Sequence, residues 1–73
     1  MVKFGIFSGA DLCSILEEEG FVRVRQKGSH AIMQKLLLDT TITVPIPLHN
    51  EIKIGTLSSI IRQSGIPKEK FQK

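Results

Sequence analysis

The sequence predicts an α+β domain built as α-β-β-β-α, with a three-stranded antiparallel sheet covered on one face by two helices. Three observations lead there. Apolar residues recur at helical spacing near both ends of the chain, they alternate with polar ones in its middle, and a Gly-Ser pair joins the first two alternating segments. The chain has 73 residues, which fits one domain spanning 1–73 and leaves no room for a linker. Apolar residues are 41% and charged ones 23% of the chain, so neither a disordered tail nor a membrane span is expected. With 4 Phe and no Trp or Tyr, the core must be mostly aliphatic.

The first helix should start at Ser8. Asp11 stands three residues later at capping-box spacing, and Phe7 and Leu12 have the spacing of a hydrophobic staple. Leu12, Ile15 and Leu16 form the buried stripe with Cys13 beside it, and the helix ends near Glu19 because Gly20 can take the left-handed position that lets Phe21 fold back on Leu16. Glu17, Glu18 and Glu19 then lie at the end where the helix dipole disfavours anions, and read as a solvated helix end.

Residues 22–27 alternate as a half-buried strand, and Gly28-Ser29 suits a type II′ turn into a second strand. In that register Lys27 pairs with His30, Arg25 faces Ile32 and Arg23 faces Gln34. Val22, Val24, Ala31 and Met33 occupy the opposite, buried face. His30 therefore points to solvent beside a stripe of Arg23, Arg25 and Lys27. Residues 36–40 form a turn, and Ile42, Val44 and Ile46 alternate along a third strand that Pro45 and Pro47 confine to an edge. After a polar loop at 48–53, Leu57, Ile60 and Ile61 mark the second helix. Gly65 stops it, Ile66 packs back on Ile61, and Pro67 begins a last turn through Phe71.

The chain carries 10 Lys+Arg against 7 Asp+Glu, a net +3 that favours an anionic partner. Cys13 is the single cysteine and reads as core filler, and two histidines are too few for a structural zinc site. The apolar patch from Met1 to Phe7 is too short for a signal peptide or membrane anchor, so a cytoplasmic protein is expected. Asp11, Asp39, Glu51 and Glu69 are scattered, which argues against two-metal hydrolysis, and Gly5, Gly9 and Gly28 form no phosphate-binding loop. Lys68, Lys70 and Lys73 make a basic tail that serves solubility.

His30 remains as the residue able to do chemistry. It follows a turn that fixes its backbone, faces outward, and shares its face with cations. This suits RNA cleavage without a metal or cofactor, in which an imidazole removes the ribose 2′-OH proton and fixed positive charge stabilises the phosphorane-like transition state. His49, beside Asn50 and Glu51 in the loop after the third strand, either orders that loop or contributes phosphate contact or acid catalysis.

Ser8-Gly9, Gly20-Phe21, Gln26-Lys27-Gly28-Ser29-His30, Thr43-Val44-Pro45, His49-Asn50, Gly55-Thr56-Leu57 and the run from Ile60 to Gly65 resemble, in order and spacing, the HicA toxin family. These are small messenger-RNA-cleaving proteins of toxin–antitoxin pairs. The resemblance covers nearly the whole chain. It implies a fold similar to the double-stranded-RNA-binding domain, a cofactor-free endoribonuclease acting on single-stranded mRNA, and inhibition by a HicB-type antitoxin. The family's catalytic histidine lies in a Gly-Ser-His motif, here Gly28, Ser29 and His30. Many members have a second histidine where Ala31 stands, an aromatic near Met33 and a proline where Ile54 stands. Ala31 would thereby remove one candidate proton donor, leaving Lys27, His49 or water. A row of cations at the start of the second helix, needed for duplex binding, is missing at Thr56, Leu57, Ser58 and Ser59. The reading is a metal-independent RNA endonuclease toxin with His30 as catalytic base and Lys27, Arg25, Gly28, Ser29 and His49 as substrate-binding residues. A non-catalytic RNA-binding module and a degenerate toxin that only binds its antitoxin are the alternatives.

Overall fold

The computed structural model describes residues 6–72, so residues 1–5 of the N-terminal apolar patch and Lys73 of the basic tail lie outside the described residues. Elements run α1 (Gly9–Glu18), β1 (Val22–Lys27), β2 (His30–Leu36), β3 (Thr41–Pro47), α2 (Ile54–Ser64) and a short 3-10 turn η1 (Lys68–Lys70). The sheet is antiparallel with β2 in the centre. This is the α+β order that the sequence predicts, and it is compatible with a double-stranded-RNA-binding-domain-like arrangement.

Both ends of α1 form as the sequence dictates. Ser8 Oγ accepts from the Asp11 N–H at 3.0 Å and the Asp11 carboxylate accepts from the Ser8 N–H at 2.9 Å, so two amides without helical partners are satisfied. At the other end Gly20 adopts φ 97°, and the Phe21 N–H reaches the Leu16 carbonyl at 2.9 Å while the Gly20 N–H reaches that of Glu17 at 3.1 Å. This is a Schellman closure, and it carries Phe21 into the core. Glu19, half-buried, lies 3.9 Å from the exposed Lys70, a long surface pair of small energetic weight.

The core joins Phe7, Leu12, Cys13 and Leu16 of the first helical region to Ala31, Met33, Val44 and Ile46 of the sheet and to Leu57, Ile60, Ile66 and Phe71 of the C-terminal segment. α2 stops at Gly65 in the left-handed region, φ 72°. Ser64 is buried there with both hydrogen-bonding functions used: its Oγ donates to the Ile61 carbonyl at 2.9 Å and accepts from the Ile66 N–H at 3.1 Å. β3 is an edge strand, as its prolines require.

The first strand departs from the predicted pairing. Lys27 does pair with His30 and Arg25 with Ile32, but the register shifts between Arg23 and Arg25, so that Arg23 opposes Met33 and Val22 opposes Gln34. Val24 is the extra residue of a β-bulge. Val22 and Val24 are consequently not buried. They stand 62% and 49% exposed and line a groove on the outer face with Gln34 and Leu36. Arg23 moves to the side of Met33 and leaves the stripe expected beside His30. The second turn is also shifted, since β2 continues through Leu36 and the Leu37 N–H closes on the Thr40 carbonyl at 2.8 Å.

Candidate active site

β2 alternates strictly: Ala31 and Met33 are fully buried, while His30, Ile32, Gln34 and Leu36 belong to the outer face. His30 is the first residue of β2, exposed, with Lys27 directly opposite on one side and Pro47 on the other. Arg25 is two residues from Lys27 and opposes Ile32, so Arg25, Lys27 and His30 share one solvent-facing surface. Gly28 has φ 59° and Ser29 a negative φ, the pattern of a type II′ turn, which fixes the direction from which His30 enters the strand. Gln26 Nε2 donates to the Gly28 carbonyl at 3.2 Å across the turn.

Backbone hydrogen bonds fasten the segment after β3 to this turn. The Leu48 N–H donates to the Ser29 carbonyl at 2.7 Å, the Gly9 N–H to the His49 carbonyl at 2.9 Å, and the Ile52 N–H to the Phe7 carbonyl at 2.7 Å. His49 is thereby held at the same end of the sheet as His30, two residues beyond the Pro47 that opposes it. Gly9 makes this possible. A Cβ there would overlap the Pro47 carbonyl oxygen and lie 2.8 Å from Leu48 Cα, so the close approach of α1 to this segment needs a residue without a side chain.

Next to the turn lies a concave surface lined by Pro47, His49, Glu51, Ile52, Lys53 and Thr56. The sequence did not mark it, because its walls come from a loop and the first turn of α2. Lys53, the residue preceding α2, is the cation in it, and its place in a polar run beside His49 was the available signal. The structure thus brings His30, Lys27, Arg25, Gly28, Ser29 and His49 to one end of the molecule and removes Arg23 from their face. Ala31 points into the core, so a histidine there would lie on the face away from His30. Among the described residues, no three His, Cys, Asp or Glu side chains converge as metal ligands.

A family model described as the HicA toxin of bacterial toxin–antitoxin pairs matches residues 9–66, most of the chain and all of these elements except η1. The chain belongs to the HicA toxin family. The comparison with curated proteins gives no match. A HicA toxin has an antitoxin as its partner, so a protein-binding surface has to be sought beside any catalytic one. No helix among the described residues is long and apolar enough to cross a membrane. Ile54 is the first residue of α2, a helical position at which proline is well tolerated.

Proposed function

We propose that this HicA protein is a cytoplasmic toxin that cleaves single-stranded messenger RNA, with His30 as the general base and no bound metal or cofactor. The observation that carries this reading is the placement of an exposed imidazole directly across the strand pair from Lys27, with Arg25 on the same face. His30 accepts the proton of a ribose 2′-OH, and the freed 2′-oxygen attacks the neighbouring phosphorus. The bond from phosphorus to the 5′-oxygen of the next nucleotide breaks, leaving a 2′,3′-cyclic phosphate and a 5′-hydroxyl that takes up a proton. Lys27 and Arg25 supply positive charge where negative charge accumulates on the phosphoryl oxygens. The Gly28-Ser29 turn allows close approach of the RNA backbone: a Cβ at Gly28 would have no neighbour within 4 Å. Lys27, His49 and water are the proton donors open to the leaving oxygen.

The purified protein should cut a single-stranded RNA in the presence of EDTA and leave the DNA of the same sequence intact, since DNA lacks the nucleophile. His30→Ala should abolish cleavage while the thermal midpoint stays near wild type. Cleavage by a folded His30→Ala protein would remove His30 from the mechanism, and inhibition by EDTA would overturn the metal-free reading. A HicB-type antitoxin is the inhibitor proposed here. It would silence the toxin by covering the face that carries His30, through acidic or hydrogen-bonding groups set against Arg25 and Lys27.

A further inference from the structure

The outer sheet face has a second, chemically different end. His30, Lys27 and Arg25 mark one end. Val22, Val24 and Leu36 mark the other, about 20 Å along β2 by strand rise. There an open groove of about 400 Å³ is lined by Gly20, Val22, Val24, Gln34 and Leu36. Leu36 is 80% exposed, Val22 62%, and the adjoining turn adds Leu37 at 44% and a fully exposed Leu38. Val22, Val24 and Leu36 exposed together in one groove on so small a body mark an interaction surface. β1 borders the groove, is hydrogen-bonded on one side only, and is exposed along its whole length.

We propose that this groove and the free edge of β1 form the anchoring site for a partner protein. The partner would add an extended segment antiparallel or parallel to β1, with apolar side chains in the groove and acidic ones toward Arg23 and Arg25. Chemistry selects that occupant. Residues 22–36 contain Arg23, Arg25, Lys27 and Lys35 and no carboxylate, so a second copy of this chain would set like charges against each other. The groove offers no aromatic ring, so it lacks the stacking platform with which single-stranded RNA is held. An exposed strand edge with a neighbouring apolar groove is the combination that strand addition uses: main-chain bonds give affinity and side-chain pockets give specificity. The β-bulge at Val24 produces the groove, because in a regular register Val22 and Val24 would both stand on the opposite face with Ala31 and Met33.

This inference rests on the toxin–antitoxin reading, in which the partner is the antitoxin. Anchored at the apolar end, the antitoxin reaches His30 across Arg25 and Lys27 without depending on the imidazole. The test uses the purified product of the reading frame beside this gene as probe and the double variant Val22→Ser, Leu36→Ser, which alters exposed side chains only. Affinity for the probe should fall about 30-fold or more, as expected for loss of a central apolar anchor. RNA cleavage by the free variant should stay within about twofold of wild type, because the substituted residues lie far from His30. Unchanged affinity would overturn the proposal, and so would a wild-type homodimer in light scattering that the variant abolishes, or a parallel loss of RNA binding. If the wild-type protein fails to cut RNA but the variant still loses the probe, the nuclease reading falls and the docking site stands.

Discussion

At the scale of single residues, the site depends on positions with opposite demands. His30 is exposed and contributes almost no buried area, so His30→Ala should change stability by less than about 0.5 kcal/mol in denaturant unfolding while removing cleavage. Gly9 is the reverse case. In an open helix position Gly→Ala would stabilise by up to about 1 kcal/mol. Here the added methyl meets the Pro47 carbonyl and Leu48 Cα and pushes away the segment whose His49 carbonyl accepts from the Gly9 N–H. Gly9→Ala should therefore destabilise by about 1–3 kcal/mol in urea titration, the usual range for overpacking. A neutral or stabilising result would show that α1 can lift off this segment without loss. The Ser8-Gly9 pair is thus legible in part: Ser8 announces the helix start by its chemistry, whereas the need for Gly9 comes from a strand end nearly 40 residues away in the chain.

At the scale of elements, local signals were reliable wherever the partner groups lie within a few residues. The capping box of Ser8 and Asp11, the closure at Gly20 and the turn at Gly28 each satisfy their hydrogen bonds locally, and each was readable from spacing alone. The alternation in β1 misled because period two says that valines and arginines face opposite ways without saying which way, and says nothing of an inserted residue. The C-terminal turn shows what tertiary contact adds. Phe71 follows η1, beyond the end of the family match at Ile66, and is fully buried against the core. Phe71→Ala should cost about 3–5 kcal/mol by the general scale for buried aromatics, most of the stability of a domain this small. Circular dichroism melting would show it, and a variant with an unshifted melting temperature would mean that η1 does not hold the fold.

At the scale of the whole molecule, the outer face divides into a cationic end with His30, Lys27 and Arg25 and an apolar end with Val22, Val24 and Leu36. The two ends should separate in measurement. Lys27→Glu or Arg25→Glu should weaken RNA association and flatten its dependence on salt by roughly 0.7 in the log–log slope per lost phosphate contact. Filter binding across a salt series would show this, and an unchanged slope would place the RNA elsewhere. Arg23→Glu is the internal control. The bulge sets Arg23 opposite Met33, away from the His30 face, so its effect on the slope should be smaller.

By itself the sequence determined the order of elements, the caps of α1, the turn at Gly28, the family and the outward setting of His30 opposite Lys27, because each depends on neighbours close in the chain or on a motif that fixes its own backbone. Tertiary structure decided which side of β1 meets the core, how the loop carrying His49 is tied to the turn before His30, and where apolar surface is left uncovered. These depend on how the helices lie over the sheet. α1 and α2 bury the inner residues of β2 and β3, while β1 lies at an edge where every residue is exposed. A valine there is free to stand outside, and the bulge at Val24 puts it there.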